Sequence, residues 1–348
     1  MAGGAGERFW PVSRTSRPKQ LLRLGRPDMS LLEEAVNRAE AIVGKENVFI
    51  ATGKSVEEPI RASGAVSPNR VWVEPLKRNT LGALCWVAAN LLAKDDGDVS
   101  LAILTADHRI APPEKFRECV ESALDAAEEK GALVTIGIRP DRPETGYGYI
   151  EVDVSKEGPR GVFEAKSFRE KPDQATAEEF LKRGNFLWNS GMFFWTLKEF
   201  MRELEKAQLE AYRVVLEMSE SIRAGKSAED VFERLPNISI DFALMEKAEK
   251  VAVVESCFEW DDVGAWDALE RTFASDETGN VTFGDTTIID SEGCVVYNDS
   301  NEVIVTVLGV QGLLVVVTKD AVLVCPKSEA QRVRDIVQKL KDQRPELT

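Results

Sequence analysis

The amino-acid sequence predicts an α/β fold, a doubly wound mixed sheet that is mostly parallel, with a small β-rich domain at the carboxyl end. Two observations predict it. Short apolar runs alternate with amphipathic helical patterns through the first two-thirds of the chain, as in successive βαβ units. After residue 280, short segments rich in β-branched residues and separated by turns take over. At 348 residues the chain has room for one large domain and one small one.

The strands and helices of the first domain follow from these patterns. Continuous apolar runs suit strands that are buried on both faces of a parallel sheet. Four such runs are NVFIAT, RVWVEP, VSLAIL and ALVTIGI. Between them we expect helices that begin at Ser30, where Ser30 and Glu33 can form a capping box, and that span 80–94 and 113–130, the last ended by Gly131.

The pattern of apolar and polar residues changes at Tyr147. GYGYIEVDV, VFEAKSFREKP and LWNSGMFFW predict longer strands, 198–249 predicts helix, VAVVESCFEW a strand and DVGAWDALERTF a helix. The segment SDETGN has the composition of a linker. We therefore predict a first domain at 1–275 and a β-rich domain at 281–348 that ends in a helix over 328–341.

Composition and charge exclude several classes of protein. A net charge of −15 argues against a nucleic-acid partner, which favours a basic face. The longest apolar runs are interrupted by glycine and glutamine, so we expect no membrane partner. The cysteines lie far apart without a CxxC pair, which is typical of reduced thiols in a cytoplasmic protein. They are Cys85, Cys119, Cys257, Cys294 and Cys325.

A glycine-rich turn near the start is a candidate phosphate site. Gly3, Gly4 and Gly6 can turn backbone N–H groups toward an anion without obstruction by a Cβ atom. The turn lacks the GK[ST] ending of a Walker A loop. Arg8 and Lys19 follow it and could neutralise a polyphosphate.

Eight segments in order give the chain a specific resemblance. They are AGGAGERFWPVSRTSRPKQ, EPLKRNT, TADHRI, RPETGYGYIE, FREKP, FLWNSGMFFW, SISIDFALMEK and FEWDDVGAW. Together they resemble the sugar-nucleotide pyrophosphorylases, in particular the mannose-1-phosphate guanylyltransferase family. The resemblance implies a Rossmann-like nucleotidyltransferase fold, a β-helix-like C-terminal domain and a homodimer. It also implies transfer of GMP from GTP to mannose 1-phosphate, giving GDP-mannose and pyrophosphate with Mg²⁺.

Two carboxylates are candidate metal ligands. Asp107 follows the run VSLAILTA, and Asp262 follows VAVVESCFEW, so both are expected at the carboxyl ends of strands, where open α/β sheets bind ligands. Mg²⁺ is commonly held by one or two carboxylates plus phosphates. The resemblance implies that Asp107 and Asp262 hold it. Asp261 is the alternative to Asp262, because neighbouring residues of a strand point to opposite sides.

The resemblance also implies residues for the two substrates. Arg8 and Lys19 would act in catalysis, while the turn glycines with Glu74, Asn79 and Thr80 would bind the nucleotide. A carboxylate such as Glu74 suits the N1 and N2 donors of guanine, although a strand-end acid beside a helix cap is the structural alternative. The sugar-phosphate residues would be Gly148, Glu170, Lys171, Asn189 and Asp241. The single histidine, His108, could orient a ligand or only pack.

Two alternative functions remain open at this stage. The chain could be a pyrophosphorylase for another hexose 1-phosphate or another nucleotide. It could also be a regulatory subunit without catalysis, although the presence of the cationic and acidic candidates argues against that interpretation.

A separate expectation concerns the first strand of the fold. In the family an apolar strand precedes the glycine turn, whereas here Met1 precedes it. We therefore expect the first strand of the sheet to lie upstream of Met1.

Overall fold

The computed structural model describes residues 1–4, 6–24, 28–95, 97–156, 158 and 161–348. Its strands are β1 (Ile50–Gly53), β2 (Val71–Glu74), β3 (Ser100–Ile103), β4 (Arg109–Ala111), β5 (Leu133–Ile138), β6 (Tyr149–Val152), β7 (Val162–Arg169), β8 (Phe186–Thr196), β9 (Val251–Glu255), β10 (Glu259–Asp261), β11 (Val281–Phe283), β12 (Thr286–Ile289), β13 (Val295–Asn298), β14 (Val305–Leu308), β15 (Leu313–Val317) and β16 (Val322–Pro326). Its helices are α1 (Leu31–Val43), α2 (Glu57–Ser63), α3 (Asn79–Lys94), α4 (Pro113–Lys130), α5 (Gln174–Arg183), α6 (Leu197–Ala207), α7 (Leu209–Arg223), α8 (Glu229–Phe232), α9 (Ala268–Thr272) and α10 (Val333–Gln343).

The central sheet is mixed, as the sequence predicts. Six strands are joined in the order β3-β8-β5-β9-β7-β6, and β8 also pairs with β6. β5 and β9 are parallel, and β1 and β2 form a separate parallel pair. β3, which corresponds to the run VSLAIL, pairs with the antiparallel β8. Since β8 is antiparallel to both β3 and β5, those two strands still share one direction.

The helix boundaries follow local signals where these are strong. Ser30 and Glu33 form the predicted capping box at the start of α1, and Gly131, with φ +52°, ends α4. The predicted helix over 198–249 is instead divided into α6, α7, α8 and a π turn at Asp241–Met245. The predicted strand VAVVESCFEW is likewise divided into β9 and β10. The π turn starts at Asp241, one of the predicted sugar-phosphate residues.

An apolar cavity of about 660 Å³ lies between β1 and β3, which do not pair with each other. Met1 and Ala2 lie beside it and pair with both flanking segments. The Ala2 N–H donates to the carbonyl of Ala51 at 2.8 Å, and the Ala106 N–H donates to the carbonyl of Met1 at 3.0 Å. The expected strand ahead of the glycine turn stays a prediction.

The β-rich domain consists of two small sheets and a final helix. β11, β13 and β15 are parallel neighbours, β16 closes that sheet in antiparallel pairing, and β12 pairs with β14 in parallel. Its core is continuous with residues of the first domain, because Phe9, Trp10 and Trp266 pack in one cluster with Tyr297 and Val337. The segment that follows the glycine-rich turn therefore packs against the second domain. None of the helices in the described part of the chain combines the length and apolar character that a membrane crossing requires.

Candidate active site

The glycine-rich turn is held in a fixed shape by its neighbours. Gly6 has φ +69°, a conformation that glycine adopts without strain, and a Cβ atom built there would lie 2.3 Å from the Cβ of Lys19. The hydroxyl of Ser13 donates to the carbonyl of Gly6 at 2.7 Å. By contrast, Cβ atoms built at Gly3 and Gly4 would meet nothing within 4 Å. The turn is thus packed on the Lys19 side and open on the other.

The open side of the turn borders a cavity of about 840 Å³. Six of the predicted residues line it, and they come from three separate segments of the chain. These residues are Gly3, Gly4, Glu74, Asn79, Thr80 and Asp107. Lys341 of the second domain also lines it, and its ammonium lies 2.6 Å from the carboxylate of Glu7. The structure therefore brings the glycine turn and the predicted base-binding segment to one cavity.

Glu74 lies at the end of β2 with unused hydrogen-bonding capacity. Its Oε2 atom is buried and has no hydrogen-bond partner among the described residues. Burial raises the pKa of this carboxyl to about 7, although the nearby Lys77 ammonium opposes the shift. Thr105 lines the same cavity, and its hydroxyl is also buried without a described partner. Buried polar atoms are normally paired, so both groups are candidates for binding a ligand.

Asn79 and Thr80 open α3, and both have local hydrogen bonds. Asn79 has φ +57°, which is uncommon for a residue other than glycine, and its Oδ1 accepts from the N–H of Thr80 at 2.8 Å. The Thr80 hydroxyl accepts from the N–H of Ile240 at 2.8 Å. Since Asp241 follows Ile240, this bond links the nucleotide-side segment to a predicted sugar-side residue.

Lys19 lies at the centre of the site. Its ammonium donates to Asp107 Oδ2 at 2.7 Å and to the main-chain carbonyl of Asp262 at 2.8 Å. The Lys19 side chain is only 8% exposed, whereas that of Asp107 is 33% exposed. Burial by itself would raise the pKa of Asp107, but the Lys19 ammonium and His108 hold that pKa below its usual value. Asp107 is therefore an ionised carboxylate at neutral pH.

The two adjacent aspartates after β9 have different partners. The carboxylate of Asp261 is paired with Arg271 at 2.9 Å and accepts from the N–H of Val263 at 2.7 Å. The carboxylate of Asp262 accepts from the hydroxyl of Tyr147 at 2.7 Å. Asp261 thus serves a structural ion pair, while Asp262 faces Tyr147, whose pKa is raised by its burial and by Asp262. Of the two aspartates, Asp262 is the one whose main-chain carbonyl accepts a hydrogen bond from the Lys19 ammonium.

His108 follows Asp107 in the sequence, and its imidazole lies near the Asp107 carboxylate. The indole N–H of Trp260 donates to His108 Nδ1 at 3.0 Å, and His108 Nε2 lies 3.9 Å from Asp107 Oδ1. Burial lowers the pKa of the imidazole, which Asp107 only partly offsets. The histidine is therefore neutral at pH 7 and has its Nε2 proton directed to the Asp107 side. Both interpretations of His108, orienting a ligand or only packing, stay predictions.

Four of the predicted sugar-side residues form a second cluster. Asn189 Nδ2 donates to Asp241 Oδ1 at 2.9 Å, and the Asn189 N–H donates to the carbonyl of Gly148 at 2.8 Å. A Cβ atom at Gly148 would lie 2.5 Å from Glu170 Oε2. Burial raises the pKa of Asp241 to about 6, and the negative charge of Glu170 adds to the shift. We call Gly148, Glu170, Asn189 and Asp241 the sugar-side cluster.

Two of the predicted cations, Arg8 and Lys171, are not among the described partners of Asp107 and Asp262. Arg8 lies in the short 3₁₀ turn Glu7–Phe9 and is not among the residues that line the 840 Å³ cavity. Lys171 has φ +45°, its side chain is 62% exposed, and its ammonium lies 3.1 Å from Glu170 Oε1. Lys19 is therefore the predicted cation that contacts other predicted residues in the centre of the site.

Sequence reasoning missed three residues that the structure brings to the site. Tyr147 binds the Asp262 carboxylate, Thr105 has its hydroxyl at the nucleotide cavity, and Thr135 donates to Asn189 Oδ1 at 3.0 Å. Tyr147 and Thr105 lie within the segments RPETGYGYIE and TADHRI, which carry the family resemblance. Their position in these segments could have marked them as candidate site residues. Thr135 lies inside an apolar strand, and only the pairing of β5 with β8 reveals its partner.

Comparisons with known proteins identify the family of the chain. The family model described as nucleotidyl transferase matches residues 1–279, and one described as a MannoseP isomerase/GMP-like beta-helix domain matches 284–340. The chain belongs to the nucleotidyl transferase family. It is 38% identical to a mannose-1-phosphate guanylyltransferase from Klebsiella pneumoniae, over 98% of this chain and 73% of that protein. It is 37% identical to the alginate biosynthesis protein AlgA of Pseudomonas aeruginosa, over 98% of this chain and 71% of that protein.

A solved structure supports the fold of the whole chain. The nucleotidyl transferase described here superimposes with a TM-score of 0.86 on the protein from Thermus thermophilus described as mannose-1-phosphate geranyltransferase. The two are 39% identical, and the match covers 98% of each chain. The predicted fold class, a Rossmann-like sheet followed by a β-helix-like domain, is thereby confirmed. The chain is an enzyme of the nucleotidyltransferase class.

Proposed function

We propose that this nucleotidyltransferase transfers GMP from GTP to α-D-mannose 1-phosphate, giving GDP-mannose and pyrophosphate. The observation that carries the proposal is the position of Lys19, Asp107 and Asp262 between a nucleotide-sized cavity and the sugar-side cluster. Asp262 is joined to Tyr147, which precedes Gly148 of that cluster. Relatives that share at least 37% of the aligned residues bear the names mannose-1-phosphate guanylyltransferase and AlgA.

The nucleotide would lie along the 840 Å³ cavity. The exposed backbone of Gly3 and Gly4 can donate to phosphate oxygens, because no described atom would obstruct even a Cβ there. The unpaired Glu74 carboxylate would accept from the N1 and N2 donors of guanine. Asn79 and Thr80, at the start of α3, would complete the binding of the nucleotide. Lys19 would neutralise the phosphate that is attacked, while Arg8 would do so from the edge of the turn.

The sugar-side cluster would bind mannose 1-phosphate. Glu170 and Asn189 can bond hydroxyl groups, and Asp241 can accept from one once it is ionised. Lys171 is exposed, and its ammonium lies 3.1 Å from Glu170 Oε1, so that it can reach a phosphate bound at the sugar-side cluster. The attacking phosphate oxygen needs no general base, because a second phosphate pKa near 6 leaves it mostly ionised at pH 7.

A divalent metal ion fits this donor set. Asp107 is ionised and partly exposed, and the Lys19 ammonium that binds it also binds the main-chain carbonyl of Asp262. The described residues contain no group of three or more His, Cys, Asp or Glu that could hold a metal ion, so phosphate oxygens of the substrates would complete the coordination. We propose Mg²⁺ held by Asp107 and Asp262, which would neutralise charge on the phosphates. Lys19 would then exchange its bond to Asp107 for one to phosphate.

A substrate panel tests the proposal. The enzyme is assayed with GTP, UTP, ATP and dTTP against mannose 1-phosphate and glucose 1-phosphate, with Mg²⁺ and with chelator. We expect the highest kcat/KM for GTP with mannose 1-phosphate and no turnover with chelator. Faster turnover with UTP and glucose 1-phosphate would favour the alternative pyrophosphorylase. Absence of turnover with every pair would favour the regulatory subunit.

We also propose that the protein is a cytoplasmic homodimer. On the β-rich domain, Ile289 and Leu308 are direct partners across β12 and β14, and they are 54% and 70% exposed. Contiguous exposed apolar side chains mark candidate interfaces, and these two lie side by side. Sedimentation equilibrium should give a dimer for the wild type and a monomer for Leu308→Asp. A monomeric wild type would contradict the proposal.

A further inference from the structure

Two cysteines that are distant in sequence meet at the surface of the first domain. Cys119 lies on α4, and Cys257 lies two residues after β9. Their sulfur atoms are 3.0 Å apart, and the N–H of Cys257 donates to Cys119 Sγ at 3.4 Å. The structure contains no disulfide, and both residues are free thiols. Neither the family match nor the substrates of the proposed reaction assign a role to this pair.

The two thiols differ in access. Cys119 is buried, with 4% of its surface exposed, whereas Cys257 is exposed. Cys257 opens into a surface depression lined by acidic side chains, among them Glu118, Glu121 and Asp125. Its thiol donates to the carbonyl of Lys115 at 3.4 Å. A small reagent can therefore reach Cys257 first. The Cys119 sulfur lies 3.0 Å from the Cys257 sulfur, so it can react next.

We propose that Cys119 and Cys257 are a reversible redox site that reacts with low-molecular-weight disulfides and closes into an intramolecular disulfide. An attacking thiol that is exposed and a second thiol in contact with it are the two requirements of such a site. The sulfur atoms need to approach by only about 1 Å to reach the bonding distance of about 2.05 Å. The rest of the fold can therefore remain in place.

The reaction proceeds in two exchanges. The thiolate of Cys257 attacks one sulfur of the small disulfide RSSR, forming a mixed disulfide and releasing RS⁻. Cys119 then attacks the Cys257 sulfur, and the S–S bond to R breaks as the Cys119 proton passes to the leaving group to give RSH. Both protein thiols are oxidised, and RSSR is reduced to two thiols. Burial raises the pKa of Cys119 to about 12, which makes this second exchange the slower one.

The position of the pair connects redox state to the site. The disulfide would fix α4 to the segment that joins β9 to β10, and β10 ends at Asp261, directly before Asp262. It would also close a large loop, because the two residues are 138 positions apart. Long closed loops restrict the unfolded chain most, so the oxidised protein should unfold at a higher temperature.

The experiment uses the full chain and cystamine, a cationic disulfide that suits the acidic rim. After incubation, free thiols are alkylated and the protein is analysed by intact mass and by peptide mapping. We expect loss of two hydrogen atoms, a peptide that joins Cys119 to Cys257, and full reversal with dithiothreitol. We also expect the oxidised protein to have a thermal midpoint several degrees higher, a rise that reduction abolishes.

Two variants provide the controls. Cys257→Ser removes the exposed thiol and should prevent both the cross-link and the thermal shift. Cys325→Ser removes a partly buried thiol in β16 of the other domain and should change neither. Retention of two alkylated thiols at 119 and 257 would overturn the proposal, as would a mixed disulfide on Cys257 that never resolves. Because these readouts are independent of substrates, failure here leaves the proposed function intact.

Discussion

The nucleotide side and the sugar side of this site are built differently. On the nucleotide side, polar groups face an 840 Å³ cavity with few partners, as Glu74 Oε2 and the Thr105 hydroxyl illustrate. On the sugar side, Asn189 is bonded to Asp241, to Gly148 and to Thr135. Glu74 and Thr105 can therefore bind a ligand without breaking bonds of these unpaired atoms, whereas the sugar-side cluster must exchange some of its own bonds.

This difference separates two kinds of mutational effect. Replacing an unpaired group on the nucleotide side should alter binding and leave folding almost unchanged. Replacing a bonded group on the sugar side should release a buried partner, so that binding and local order change together. Between the two lies the Lys19 centre, where changes should act on turnover itself. The predictions below run from this centre outward.

The largest effect is expected at the acidic centre. Asp107→Asn or Asp262→Asn should reduce kcat on the order of 10³-fold, because each removes a charge that faces the reacting phosphates. Asp261→Asn is the matched control, since Asp261 pairs with Arg271 instead. It should retain most of kcat but lose roughly 1–3 kcal/mol of unfolding free energy in urea. Near-normal turnover of Asp107→Asn would remove Asp107 from the metal site.

A smaller loss is expected when the turn is displaced. Gly6→Ala places a Cβ atom 2.3 Å from Lys19 Cβ, so that either the turn or Lys19 must move. Misplacement of about 1 Å can lower turnover about 10²-fold. Gly64→Ala is the control, because Gly64 has the same φ of +69° as Gly6 but no atom within 4 Å of the added Cβ. Both variants should lose about 1–2 kcal/mol of stability, and only Gly6→Ala should lose turnover.

The sugar side should respond through its internal bonds. Asn189→Ala removes the amide that donates to Asp241, and the KM for mannose 1-phosphate should rise about 10- to 100-fold while the KM for GTP stays constant. Asn185→Ala is a matched control, because Asn185 bonds Glu151 outside the cluster. Equal changes in both KM values for Asn189→Ala would contradict a role on the sugar side.

The smallest effect is expected from the titration of Glu74. With its pKa raised to about 7, the carboxyl is mostly protonated at pH 6 and mostly ionised at pH 8. Guanine recognition requires the ionised form, so kcat/KM for GTP should rise about tenfold from pH 6 to pH 8. Glu74→Gln should lose that contribution and show a flatter profile. A profile that Glu74→Gln leaves unchanged would exclude Glu74 from base recognition.

The same carboxyl gives a linked prediction for stability. The folded protein keeps a proton that the unfolded chain releases between its ordinary pKa of 4.5 and about 7. The unfolded state therefore binds fewer protons in this window, and stability falls as the pH rises through it. The thermal midpoint of the wild type should decline relative to that of Glu74→Gln across this range. An unchanged difference between the two midpoints would contradict the raised pKa.

Much of the fold could be predicted because its signals are local. The capping box at Ser30 and the terminating Gly131 depend on a few adjacent residues, and apolar runs mark the strands wherever they pair. The order of the strands could not be predicted in this way. The insertion of antiparallel β8 between β3 and β5 depends on pairing between segments far apart in sequence. The predicted boundary between 275 and 281 stays a prediction.

By itself, the sequence determined the family, the fold class and the set of candidate site residues, because the order of motifs along a chain needs no coordinates. Only the tertiary structure decided which neighbours share a contact. It assigned Asp261 to Arg271 and Asp262 to Tyr147, and it brought Cys119 to Cys257. The physical reason is that a side chain's partner depends on its direction and on the packing of distant elements, and sequence spacing carries neither.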